Sequence, residues 1–451
     1  MSEPFDLILR GGTCVFPWGR AVADIGISGG RIAAIGALGG VAGNEVIQAA
    51  HLHVLPGLID PHVHFRDSGV SAPAAVETLE SGTRGAVLGG ICTIFDMPNT
   101  SPALTDAAAL AVKAAHAARV SWCDVGLYVG ATTRNIAELA ALETGPGVCA
   151  VKVFAGSSTG DLLVADDATL ERVMRAGRRR IAYHSEDEAR LQARRAMFEA
   201  GGDYALHADG RDYALHARWR DEECAALGTR RIVTLAEATG RPAHILHVST
   251  AEELDWLADH RDLVSIELLV NHLTQSDEAY ARLGGYAVMN PPLRAQRHVD
   301  AAWAAVRDGR VDTIGSDHAP HPREAKERPW PATAAGLTGV QTLLPVMLDH
   351  VAAGRLSLER MVDLMAAGPA RIYGLRGKGR LAVGMDADVT LVDLAARRRI
   401  EASWLASPCG WSPFEGVEVT GWPVATVVRG APVMRDDAVL GTPRGRLARF
   451  A

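Results

Sequence analysis

Two histidines spaced one residue apart follow an apolar run, Val54-Leu-Pro-Gly-Leu-Ile-Asp60, in the sequence Pro61-His62-Val63-His64. Side chains alternate along an extended strand, so both imidazoles face one side, where a single metal ion can take both. A lysine lies inside a second apolar run, Val148-Cys-Ala-Val-Lys152-Val-Phe154. An ammonium in such a run must be paired or lose its proton. A neutral lysine amine can combine with carbon dioxide, and the carbamate so formed can bridge two divalent cations as a carboxylate would. Imidazoles close two further runs, at Tyr183-His184-Ser-Glu186 and at His244-Ile-Leu-His247, with His244 read as the structural member of its pair. A carboxylate closes another, Thr313-Ile-Gly-Ser-Asp317-His318, where it can bind metal and carry a proton. Taken singly, these residues have ordinary readings as a core histidine, a snorkelling lysine or a turn aspartate. Together, His62, His64, Lys152, His184, His247 and Asp317 predict a dinuclear metal site.

Such a site needs a scaffold that brings the ends of separate runs to one rim. Short apolar runs at 54–60, 91–97, 124–129, 149–154, 180–184, 243–248, 264–268 and 312–316 alternate with Ala/Leu/Arg-rich stretches of helical period. This predicts eight βα units and an α/β fold, a (β/α)8 TIM-like barrel over residues 55–378. Catalytic groups of such barrels sit at the C-terminal strand ends, where these six residues fall. After the sixth run, Ser249-Thr-Ala-Glu-Glu253 has the pattern of a capping box opening a helix. Residues 1–54 and 379–451 have another texture, short β-like runs between glycine turns, and are expected to pair into one small composite β-sandwich domain. A tandem duplication, Asp203-Tyr-Ala-Leu-His-Ala-Asp-Gly-Arg211 followed by Asp212-Tyr-Ala-Leu-His-Ala-Arg-Trp-Arg220, is too short for a solenoid repeat. It reads as a lengthened loop after the fifth barrel strand.

The chain of 451 residues carries 46 basic and 53 acidic side chains, a net charge of −7 with no block of one sign. That balance argues against nucleic-acid and membrane-surface partners and leaves a small molecule. The six cysteines, Cys14, Cys92, Cys123, Cys149, Cys224 and Cys409, lie far apart without a Cys-x-x-Cys pair, so they are expected to be free and buried in a reducing compartment. The N-terminus lacks the basic and apolar regions of a leader, and no run of about 18 apolar residues occurs. A cytoplasmic enzyme is expected.

The text around these residues resembles the dihydroorotase branch of the amidohydrolase superfamily over essentially the whole chain. The resemblance is carried by Leu55-Pro-Gly-Leu-Ile-Asp-Pro-His-Val-His-Phe-Arg66, Asp96-Met-Pro-Asn-Thr100, Val151-Lys-Val-Phe-Ala-Gly-Ser-Ser158, His184-Ser-Glu-Asp187, His247-Val-Ser-Thr250, Met289-Asn-Pro-Pro-Leu-Arg294 and Ser316-Asp-His-Ala-Pro-His321. It implies two Zn2+ ions, one held by His62, His64 and Asp317, the other by His184 and His247, with Lys152 carboxylated by CO2 as the bridge. It implies further that Arg66, Asn99 and His321 grip a substrate carboxylate, with Asn290 and the stretch from Gly336 to Gly339 near the substrate ring. The activity implied is reversible hydrolysis of the cyclic amide of (S)-dihydroorotate to N-carbamoyl-L-aspartate in pyrimidine biosynthesis, with Asp317 as the catalytic proton carrier. The expected assembly is a homo-oligomer, a dimer or tetramer. Alternatives are a hydantoinase, dihydropyrimidinase or allantoinase of the same mechanism, or a silent homologue partnering aspartate transcarbamoylase. The sequence departs from the family pattern at Ser68, at Ala72 to Ala75 and at Leu269-Val-Asn-His272.

Overall fold

A computed structural model describes residues 4–70, 76–158, 162–199 and 211–451. Ala72 to Ala75, and residues 203–210 of the duplicated stretch, lie outside them. The glycine-punctuated N-terminal stretch forms β1 (Phe5–Phe16), β2 (Gly19–Ser28), β3 (Arg31–Gly36), β4 (Gly43–Gln48) and β5 (His53–Pro56). Gly29 and Gly30 take φ of 59° and 75° in the turn between β2 and β3, a conformation glycine adopts without steric cost.

The chain then crosses at Gly57 into β6 (Leu58–Val63). A Cβ at Gly57 would meet the Asp388 Cβ at 2.4 Å, so only glycine lets the two segments pass. The first barrel strand expected over 54–60 is therefore divided. Residues 53–56 belong to the end sheet, and the barrel strand begins at Leu58. An apolar run that continues through Pro56 and Gly57 conceals this break, because both halves are buried.

The barrel continues with β7 (Ile91–Asp96), β8 (Asp124–Gly130), β9 (Val148–Phe154), β10 (Ile181–His184), β11 (Ala243–Ile245), β12 (Val264–Leu269) and β13 (Thr313–Gly315), each parallel to its predecessor. Every residue of these strands is buried, which is why they read as continuous apolar runs instead of alternating ones. The ring closes where Val63 bridges His318 and the His64 N–H donates to the His318 carbonyl at 2.7 Å. After β11, Thr250 caps the helix Ala251–Ala258 and Glu253 reciprocates, the expected capping box.

β14 (Val389–Arg399), β15 (Glu418–Val428), β16 (Ala431–Arg435) and β17 (Ala438–Val439) complete the end sheet. β14 runs antiparallel to β5, so both ends of the chain share one mixed sheet of nine strands among the described residues. That sheet has its own core, in which Leu7, Leu9, Ile25 and Val54 meet Leu391 and Val427. Past β17 the chain leaves the sheet and returns to the barrel. Leu447 bridges Val125 near the start of β8, and the Phe450 ring packs edge-on against Phe95 with centroids 5.4 Å apart. All six cysteines are free and buried. Among the described residues no helix is long and apolar enough to cross a membrane.

Candidate metal centre

The strand ends bring the six predicted ligands to one pocket. His62 Nε2 and His64 Nε2 lie 3.2 Å apart, and Asp317 Oδ1 is 3.2 Å from the first and 3.1 Å from the second. An ion held tetrahedrally at about 2.0–2.1 Å would set its ligand atoms about 3.3 Å apart. The triangle therefore has the dimensions of one coordination face. His184 Nδ1 and His247 Nε2 make a second edge of 3.0 Å. The His62 and His247 rings, with centroids 5.6 Å apart, bring the two groups side by side. Donor set and spacing both fit divalent cations.

Lys152 stands on β9, in register with Ala182 of β10, and lines the same pocket at 1% exposure. It makes no hydrogen bond or ion pair among the described residues, and its Nζ lies 4.4 Å from the Phe154 ring centroid. Burial pushes its ammonium down to about 7, against the pull of Asp317 and Glu267. An appreciable fraction is thus free amine at neutral pH, the form that adds carbon dioxide.

The imidazoles are prepared as ligands by what stands behind them. Burial holds His64 down at about 4 and His247 well below its ordinary value, so both are neutral at pH 7. Burial acts the same way on His62 but is outweighed by the carboxylates of Asp317 and Glu267, which hold its pKa above the ordinary value. The His62 Nδ1–H donates to Glu267 Oε1 at 2.7 Å, leaving Nε2 to face the centre. His64 Nδ1 similarly lies 2.6 Å from Asn99 Oδ1. His184 Nε2 lies 2.9 Å from Glu186 Oε2, and Arg220 pairs with that carboxylate. Asp60 accepts from the backbone N–H groups of Ser316 and His62, tying β6 to the loop that carries Asp317. Arg66, His247 and Asp317 have φ of 60°, 42° and 47°, a region side chains seldom occupy and one that persists only where the surroundings impose it.

Arg66, Asn99 and Asn290 line the pocket with the six. His321 stands one layer back, its Nε2 3.3 Å from Arg66 Nη2 and 3.0 Å from the Ala335 carbonyl. The Arg66 guanidinium donates to the Pro320 carbonyl, but among the described residues no carboxylate comes within ion-pair distance, and its buried Nε has no acceptor. Burial lowers its pKa. Of the stretch from Gly336 to Gly339, Gly336 lines the pocket, and a Cβ there would meet the Ala319 carbonyl oxygen at 2.5 Å. The Gly339 N–H instead donates to His318 Nδ1 at 2.9 Å. His244 is turned to Ser265 Oγ at 2.7 Å and does not line the pocket.

Glu267, Glu186, Arg220 and Asp60 escaped the sequence reading. Glu267 carried the same signal as Lys152, a charge inside a buried strand; Arg220 belongs to the duplicated stretch and carried none. Of the departures from the family pattern, Ser68 Oγ donates to the Ser101 carbonyl at 2.8 Å. His272, in the helix Val270–Thr274, has Nε2 3.2 Å from the Pro291 carbonyl, beside Asn290.

A closed barrel, an end sheet and buried His, Lys and Asp side chains at one rim define a metal-dependent hydrolase, and the sequence agrees. The chain belongs to the amidohydrolase family, whose profile matches residues 53–433, and it is a metal-dependent cyclic amidohydrolase. Among its relatives, a dihydroorotase of Halobacterium salinarum is 37% identical over 423 residues, covering 93% of this chain and 94% of that one. An allantoinase of Rubrobacter xylanophilus is 35% identical, covering 99% of this chain and 98% of that one. Among solved structures, the L-hydantoinase (dihydropyrimidinase) of Arthrobacter aurescens is similar with a TM-score of 0.91 and 30% identity, over 98% of this chain and 99% of that one.

Proposed function

We propose that the protein is a dihydroorotase, hydrolysing the ring amide of (S)-dihydroorotate to N-carbamoyl-L-aspartate and, in reverse, closing the ring in pyrimidine biosynthesis. The observation that supports this substrate is Arg66, a half-buried guanidinium lining the pocket with a buried, unpaired Nε and no carboxylate partner among the described residues. Dihydroorotate carries a free carboxylate beside its amide, whereas hydantoin, dihydrouracil and allantoin do not. A guanidinium fork suits a planar carboxylate, and a buried cation is costly unless something pairs with it. Overall similarity does not separate the candidates, since the dihydroorotase and allantoinase relatives differ by only two percentage points of identity.

In this reading His62, His64 and Asp317 would hold one divalent ion and His184 and His247 the other, with Lys152, once carboxylated, supplying a shared anionic ligand. Imidazole and carboxylate donors suit zinc. When bound, the ions supply a water of lowered pKa and a Lewis acid for the amide carbonyl. Arg66 and Asn99 fix the substrate carboxylate and with it the orientation of the amide, while His321, expected to grip it too, stands one layer back against Arg66. Asn290 faces the ring. Asp317 turns Oδ1 to the histidines, and its Oδ2 carries no protein hydrogen bond among the described residues. That oxygen takes the proton of the incoming water and returns it to the ring nitrogen as the C–N bond breaks. Ring closure uses the same groups in the opposite order.

The test is a parallel assay of dihydroorotate, hydantoin, dihydrouracil and allantoin on a sample of measured metal content. Dihydroorotate should be turned over best, with two metals per chain. Arg66→Met should lower its kcat/KM about 10–150-fold, the equivalent of ~1.5–3 kcal/mol for a charged hydrogen bond, and leave an uncharged ring nearly unaffected. Equal losses on both kinds of ring, or a wild-type preference for an uncharged one, would reject the assignment.

A further inference from the structure

The duplicated stretch enters the site above only through Arg220, which pairs with Glu186 behind His184, yet its second copy also reaches the pocket wall. His216, in the helix Leu215–Trp219, is 3% exposed. Its Nε2 lies 2.9 Å from Asn290 Oδ1 and 3.0 Å from the Met289 carbonyl, while its Nδ1 receives the Trp330 indole N–H at 3.4 Å.

These contacts fix where the hydrogens are. An indole nitrogen can only donate, so His216 Nδ1 must be bare, and the one hydrogen of a neutral ring is then on Nε2. Burial keeps the ring neutral, pushing its pKa down to about 3. A donating Nε2 requires acceptors on both atoms it faces. The Met289 carbonyl is one by nature. The other must be the side-chain oxygen of Asn290, which turns the amide nitrogen away from His216. Asn290 lines the pocket, and its nitrogen makes no hydrogen bond among the described residues.

We propose that His216 is a positioning residue that locks the Asn290 side chain with its NH2 directed into the pocket, as a donor to a carbonyl oxygen of the cyclic amide. The proposal rests on the pocket being the cyclic-amide site and is independent of whether dihydroorotate is the ring bound. It also gives the second copy of the duplication a task beside that of Arg220. A backbone of ordinary loop residues could hold the Met289 carbonyl, but only a group with a bare nitrogen on one side and an N–H on the other transmits the direction of the Trp330 donor to Asn290.

Two measurements decide it. In the wild-type protein, 15N NMR of the imidazole nitrogens at pH 7 should show His216 with an unprotonated Nδ1 and a protonated Nε2; a protonated Nδ1 overturns the proposal whatever the substrate. Kinetics are then taken on whichever ring of the four-substrate panel is turned over best, so that a failure of dihydroorotate there leaves this test intact. His216→Leu should lower kcat/KM about tenfold, chiefly through KM, in keeping with one lost hydrogen bond. His216→Gln, which can still donate to Asn290, should recover most of that loss although both variants lose similar thermal stability. In an Asn290→Ala background His216→Leu should cost nothing further. Equal losses for Leu and Gln, or losses that add in the double variant, would make His216 a packing residue only.

Discussion

Three of the four rings at the centre take their orientation from a polar partner on the far side: Glu267 behind His62, Asn99 behind His64, Glu186 behind His184. The partner fixes which nitrogen is bare, so the ligand lone pairs converge before any ion arrives. Asp317 is the exception, since one of its oxygens is left without a protein partner among the described residues, which is why the proposed mechanism gives it the proton as well as the ion. Asp317→Ala should lower kcat by about 10²–10⁴-fold, the range for losing a positioned proton carrier, or further if an ion is lost with it. Metal content per chain, measured on the same variant, separates the two effects. A variant that keeps wild-type kcat would remove Asp317 from the mechanism.

At the scale of elements, β12 shows how a strand serves the site without ending in a ligand. Its period of two sends Ser265 and Glu267 to one side, where Ser265 holds His244 and Glu267 holds His62. Glu267→Gln keeps the volume but weakens the acceptor behind His62. Affinity for the metal proposed to lie between His62, His64 and Asp317 should fall about 10–100-fold, as read by competition with a chelator, and unchanged affinity would show that His62 needs no such support. The eight barrel strands could be read from the sequence because each is a buried apolar run, and five of them stop at a predicted metal ligand. The first was misplaced because residues 53–56 and β6 are equally apolar, and only the crossing against Asp388 divides them. That the six predicted ligands would share one pocket was legible for the same reason as the strands: a histidine, lysine or aspartate interrupting hydrophobic text has few places to go. Their supports were not, because Glu267 meets His62 across 205 residues and Arg220 meets Glu186 from a loop, pairings that no local pattern encodes.

The molecule as a whole is fastened at the end of the barrel away from the pocket. The Arg446 carbonyl accepts from the Val125 N–H at 2.9 Å, the Ala448 N–H donates to the Val125 carbonyl at 2.8 Å, and Phe450 packs on Phe95 and beside Tyr373. Phe450→Ala should lower stability by about 1–3 kcal/mol in denaturant unfolding and leave kcat unchanged. An unchanged midpoint would mean that the tail contributes no packing energy. The pairing of β5 with β14 has a consequence for how the chain is made. A ribosome releases β5 roughly 330 residues ahead of its partner, a delay on the order of 20–60 s at ordinary elongation rates. Throughout that time the first strands present an unpaired edge, the kind of surface that other nascent chains or a holdase would capture. Strands translated ahead of the barrel are therefore among the last to reach their final partners.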